Sequence, residues 1–289
     1  MKKIILACVL PLIVFAQEEK KTLLDTLLEP KITYETAYLN DAKVGGTDGT
    51  VRVFKNNLKV NIADASVSYS NWRFNWDSVE NLPFGNKIDT PLEQIHELEV
   101  RMNFPKLINE KWFMLTSISA NTTFEKEMSD SYGANIFAML SYQMDMEHSF
   151  QFGAFANYHP IKTLALPVMS YSYRANEKDG WQFIFGFPIT HVGYFVDKNT
   201  LLRLGLMFSQ SLVRLADDNV VQKSGYAEAM DYMSNLGITY VVNKNFKLHA
   251  DILYTLAREF TIYDKDANKV QKEDIENNFG VNLRLVYSF

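Results

Sequence analysis

The last eleven residues read FGVNLRLVYSF, and Phe279, Val281, Leu283, Leu285, Tyr287 and Phe289 fall on every second position. A period of two is that of a β-strand with one apolar face. The residues between them, Gly280, Asn282, Arg284, Val286 and Ser288, are small, polar or charged apart from one valine. Such a strand has an apolar outside and a wetter inside. The same alternation recurs at Phe246 to Leu256, Leu236 to Val242, Leu202 to Phe208, Trp181 to Phe187, Phe150 to Tyr158 and Ile136 to Met144. It continues towards the N-terminus at Trp112 to Ala120, Leu98 to Phe104, Trp72 to Trp76 and Ile32 to Tyr38. Strand character is therefore spread along nearly the whole chain.

The connections add a second regularity. Long ones are expected at Asn40 to Thr50, Asp77 to Glu93, HPIKTLALP, Ala216 to Ala229 and Thr261 to Asn277, with an intermediate one at Glu125 to Ser131. Short ones fall between them at Ala63 to Ala65, Pro105 to Lys111, Asp145 to Glu147, ANEKDG, DKNT and NKN, with PIT as an extra tight turn. Short turns at one rim and longer loops at the other are the habit of outer-membrane barrels. Two termini on the same side require an even number of strands. The best count is fourteen, with twelve left if the pair around GFPITHVGYF merges or folds inward. The expected fold class is all-β, a transmembrane antiparallel up-and-down β-barrel.

The N-terminal MKKIILACVLPLIVFAQEEKK sharpens the setting: two lysines, an apolar run from Ile4 to Phe15, Ala16, then a polar stretch. This is the anatomy of a secretory signal peptide over 1–16, followed by one barrel domain over 17–289. The run is too short for a spanning helix, which needs about 20 apolar residues. ILAC before Cys8 resembles a lipoprotein box, but the apolar run continues beyond the cysteine. Removing the leader takes away Cys8, Lys2 and Lys3, leaving no thiol and 27 basic against 34 acidic residues, 27 − 34 = −7. No basic stripe points to nucleic acid. A soluble β-sandwich would share the alternation; against it stand the aromatic C-terminal strand behind a leader, frequent charges in the off-phase, and aromatics near strand ends. Those aromatics are Tyr38, Trp76, Trp112, Tyr158, Trp181 and Tyr287, as interfacial girdles require.

Two resemblances follow. Tyr287 and Phe289 form a Tyr-x-Phe terminus that resembles the C-terminal signature of Gram-negative outer-membrane proteins, which implies recognition by the barrel-insertion machinery. More narrowly, Leu166-Pro167, Trp181, Gly186-Phe187-Pro188 and Asp197-Lys198-Asn199 look like an uncharacterised family of porin-like outer-membrane barrels. That resemblance implies the bacterial outer membrane and contact with its lipid, without an established activity.

A barrel of twelve to fourteen strands is wide enough for a narrow pore, which makes a small-solute channel of unassigned substrate the leading expectation. The phase of each strand turns Glu97, Glu99, Arg101, Arg203, His249, Asp251 and Arg284 inward, a mixed-charge lining that would orient small polar solutes or simply stiffen the wall. The segment DSVENLPFGNKIDTPLEQIHE is long enough to fold into the mouth or to stay solvated, and TLLDTLL over 22–28 could form a short helix. A closed barrel working through its external loops is the alternative. A lipid hydrolase is a weaker one. His249 and Asp251 share a face, but no serine completes a triad, and the five histidines without cysteine make no zinc spacing. No catalytic residue, cofactor or metal ligand is expected.

Overall fold

A computed structural model describes residues 28–174 and 179–289. The expected leader and nearly all of segment 22–28 lie outside these residues. The described chain is a meander of antiparallel strands: β1 Lys31–Lys43, β2 Thr50–Ile62, β3 Ala65–Asp77, β4 Gln94–Leu107, β5 Trp112–Phe124, β6 Tyr132–Gln143, β7 His148–His159 and β8 Lys162–Arg174. It continues with β9 Gly180–Phe187, β10 Thr190–Asp197, β11 Thr200–Arg214, β12 Tyr226–Val241, β13 Phe246–Tyr263, β14 Lys269–Ile275 and β15 Phe279–Ser288. Each strand from β1 to β13 pairs with the next, and β15 pairs with both β13 and β1, so the sheet closes on itself. β14 and β15 both pair with β13 and occupy one place in the wall, so fifteen strands make a barrel of fourteen. Tyr287, opposite Ile32 on one side and Phe246 on the other, lies on the closing seam.

The period of two sorts the side chains as expected through the middle of the wall. Leu98, Val100 and Met102, Leu202, Leu204 and Leu206, and Val281 and Leu283 are exposed on the outer face. An apolar exterior on a closed, hydrogen-bonded barrel is what a bilayer demands. The protein is a bacterial outer-membrane barrel. Trp112, Tyr158, Trp181 and Tyr287 face outward near strand ends; Trp112 packs at a tilt against Tyr142 with ring centroids 4.8 Å apart, and Trp181 against Tyr194 at 5.0 Å. The rim that carries Lys31 and Ser288 has the short turns and is periplasmic.

The external rim departs from expectation in three ways. HPIKTLALP is not a long loop: β7 ends at His159 and β8 begins at Lys162, because Leu164, Leu166 and Val168 continue the alternation as an inner face. Pro167 interrupts nothing there, since residues 162–168 of β8 have no partner on the β9 side among the described residues. The long connections after β11 and β13 are likewise shorter, because the strands run on to Arg214 and Tyr263 and β12 starts at Tyr226. Finally, Trp76 is no girdle residue. With Trp72 and Phe74 it faces inward, and its indole N–H donates to the Leu92 carbonyl at 2.6 Å.

The wall is also discontinuous. β9 and β10 have only 8 residues each, and β11 pairs with β10 only as far as Leu206. Above them β11 leaves the wall and leans across to β5, where Arg214 bridges Phe124 and the Glu125 N–H donates to the Arg214 carbonyl at 3.0 Å. The face of β11 and β12 carrying Phe208 and Met230 thus meets the inner face of β5 to β8 in one buried cluster, with Phe113, Leu115, Phe137, Phe155, Leu166 and Val168.

Candidate functional site

In the periplasmic half, strand register stacks the inward residues in rungs. One rung runs Lys31, Asn61, Ser66, Arg101, Ser119 across β1 to β5; the next runs Thr33, Lys59, Ser68, Glu99, Asn121; a third runs Glu35, Asn57, Ser70, Glu97, Thr123. Here Glu99 pairs with Arg101 at 2.8 Å, and Glu35 with Arg284 at 2.9 Å. On the other side Arg203 pairs with Asp251 at 3.0 Å, reaching over Gly237 of the intervening β12. Only glycine permits that reach: a Cβ at Gly237 would stand 1.9 Å from Asp251 Oδ1. Asn235 and Asn282 also donate to Asp251, at 3.1 and 3.3 Å.

All seven residues singled out from the sequence thus lie on the face opposite the apolar exterior, but they form separate groups. Glu97 and the Glu99–Arg101 pair sit on β4, Arg284 is tied to β1, and Arg203 to β13. His249 is not coupled to Asp251. Its Nδ1 lies 2.8 Å from Thr239 Oγ1, while Asp251 serves Arg203. Among the described residues no group of His, Cys, Asp and Glu is arranged to hold a metal ion.

The external half is built differently. Loop 78–93 folds into the mouth, burying Leu82, Phe84 and Leu92 against Trp72, Phe74, Trp76 and Phe260. Loop 215–225 buttresses it. The Asn219 side-chain amide donates to the Pro91 carbonyl at 2.8 Å and to Glu125 Oε2 at 2.9 Å, and Glu125 Oε2 also accepts from the Ala216 N–H at 2.8 Å. Burial raises the Glu125 carboxyl above the usual carboxylate range despite these donors. Behind this plug, Glu228 is 2% exposed and holds Lys162 Nζ at 2.8 Å, the Tyr263 hydroxyl at 2.6 Å and the Gln210 amide. An external cleft of about 300 Å³ separates the plug from the 125–131 loop and is lined by Asp89, Glu93, Glu125, Lys126 and Asp218.

The family described as Domain of unknown function (DUF6268) matches residues 14–289. The chain belongs to that family. No curated protein matches it. Among solved structures, the DUF6268 chain is similar to the COG4313 outer membrane channel from Pseudomonas putida F1, at 12% identity and a TM-score of 0.45, over 91% of this chain and 96% of that one. It is also similar to the KdgM porin, at 9% identity and a TM-score of 0.40, over 90% of this chain and 99% of that one. A third is the TodX deltaS2S3 mutant monoaromatic hydrocarbon channel, at 8% identity and a TM-score of 0.45, over 90% of each chain. Likenesses this distant say nothing of what the DUF6268 barrel carries.

Sequence phase did not single out Lys59, Lys162 or Glu228. Lys59 sits in VFKNNLKVN, where Lys55, Asn57, Lys59 and Asn61 alternate with Phe54, Leu58 and Val60, so the signal was present. Glu228 and Lys162 meet only because β11 and β12 cross the lumen, and nothing in either segment announces that.

Proposed function

We propose that the protein is a passive outer-membrane channel for small polar solutes, with a wet periplasmic vestibule and an external mouth held shut by loops 78–93 and 215–225. One contrast carries this reading. In the periplasmic half the Glu99–Arg101, Glu35–Arg284 and Arg203–Asp251 pairs each join one strand to itself, its neighbour or its next neighbour, and Arg101, Arg203 and Arg284 keep 20–25% side-chain exposure. The lumen there is lined rather than bridged. In the external half Lys162 reaches from β8 to Glu228 on β12, and loops meet across the mouth. On this reading Glu97, Glu99, Arg101, Arg203, His249, Asp251 and Arg284 line the vestibule, and Tyr287 and Phe289 serve recognition by the insertion machinery.

The dry external core favours a second reading, a closed barrel that works through its loops. Single-channel recording of the refolded chain in planar bilayers separates the two, with Arg101→Ala, Arg203→Ala and Arg284→Ala alongside. Current steps whose ion selectivity moves with the arginines support the channel. A folded, inserted barrel that stays silent, even when the plug contact of Asn219 is removed, sinks it.

A further inference from the structure

We infer that the β1 to β4 sector of the vestibule is a binding site for small anionic solutes carrying carboxylate or phosphate, centred on Lys59 and Arg101 over the serines of β3. It rests on the channel reading only for the route by which solute arrives.

The sector has a distinct relief. Ser66, Ser68 and Ser70 succeed one another on the inner face of β3, flanked by Lys59 on β2 and by Glu97, Glu99 and Arg101 on β4. Three short hydroxylated side chains between Asn57, Lys59 and Asn61 on one side and Glu97, Glu99 and Arg101 on the other make a trough. Its floor offers hydroxyl donors and its edges offer cations. Lys59 stands opposite Ser68, and Arg101 opposite Ser66, so the two cations flank the trough one rung apart.

The charge within the sector is unevenly committed. Glu99 is engaged by Arg101 and Glu35 by Arg284. Lys59 has no ion pair among the described residues, and the carboxylate of its own rung, Glu99, is the one that Arg101 holds. Glu97 lies a further rung towards the mouth, opposite Ser70. In the two rungs nearest the periplasm, Lys31, Lys59 and Arg101 thus stand against one wall carboxylate, Glu99. An ammonium that is enclosed by protein and lacks a counter-charge is stabilised by an anion that displaces its water, and a guanidinium beside it adds a planar pair of donors.

The test needs no current. The chain 17–289 contains no cysteine, so Ser68→Cys supplies a single thiol in the trough. In refolded protein, with each rate divided by that reagent's rate with a free thiol in solution, the anionic sulfonatoethyl methanethiosulfonate should label it about tenfold faster than the cationic trimethylammonioethyl reagent, the scale expected of a charged cleft. The ratio should fall towards one with Lys59→Gln and invert with Lys59→Glu. Inorganic phosphate or glutarate at millimolar concentration should slow labelling, and whichever protects identifies the headgroup. A ratio of one in Ser68→Cys, a ratio indifferent to Lys59→Glu, or protection by neither anion overturns the proposal. Silent bilayers with the labelling ratio intact would overturn the channel reading alone, and currents with a ratio of one would overturn this inference alone.

Discussion

The side-chain amide of Asn219 donates to the main-chain carbonyl of Pro91 at 2.8 Å, and this buried bond ties the loop after β11 to the loop that fills the mouth. The same amide holds Glu125, so one residue fastens three external segments. Asn219→Ala leaves the Pro91 carbonyl and a carboxylate short of a donor, a loss of about 1–3 kcal/mol for buried groups. Because the barrel wall does not depend on this residue, the loss should fall on plug closure. The variant should show longer or more frequent open events than wild type. Unchanged gating with unchanged thermal stability would remove Asn219 from that role.

Glu125 gives the plug a pH dependence. Its carboxyl is raised above the usual value of 4.5 by burial, so the folded state holds its proton more firmly than the unfolded chain does. The proton-linked stabilisation is complete below the unfolded value and is lost as pH rises through the folded value. Glu125→Gln, which stays neutral, should therefore melt above wild type at pH 8 and match it at pH 4. A difference that is the same at both pH values would contradict the assignment.

Gly237 is the passage for the Arg203–Asp251 pair. A methyl group there collides with Asp251 Oδ1 and stands 2.8 Å from the Ala250 carbonyl, so Gly237→Ala must displace the carboxylate. We expect a cost of about 1–3 kcal/mol, the usual range for overpacking, in urea unfolding of the detergent-folded protein. Asp251→Asn combined with Gly237→Ala should cost less than the sum of the two single changes, and strict additivity would show that the two residues do not interact.

The Glu228 carboxylate is held by partners from three strands, Lys162, Gln210 and Tyr263. Lys162→Met strands a buried charge, for which about 3 kcal/mol is the lower end of the measured range. Lys162→Met with Glu228→Gln should recover most of that loss. Failure of the double variant to recover would mean that Lys162 supports the fold through its aliphatic stem instead.

The barrel was legible because lipid imposes a sharp rule: Leu98, Val100 and Met102 must face out, so Glu97, Glu99 and Arg101 must face in. The rule stops where the strands leave the bilayer. On β3 the alternation continues without a break from Ser66 to Trp76, but the inward set changes from serines to Trp72, Phe74 and Trp76, because loop 78–93 supplies an apolar core at that height. Periodicity reports which residues share a face and is silent about which solvent that face meets. The departure of β11 from the wall was hidden for a related reason. Phe208 continues the outward set of Leu202, Leu204 and Leu206, yet what it meets is the inner surface of β5 to β8 instead of lipid.

The short hairpin of β9 and β10 also acts on the membrane itself. Strands of 8 residues rise about 19 Å at a 45° tilt, whereas the apolar band of such barrels is about 25 Å tall. Lipid beside this hairpin must shorten its hydrocarbon layer by several ångström or leave chain ends against unpaired backbone. The protein therefore carries a dent in the surrounding bilayer on one flank only. The elastic cost of such a dent is relieved when two dented flanks meet, which gives neighbouring copies a preferred side on which to approach one another.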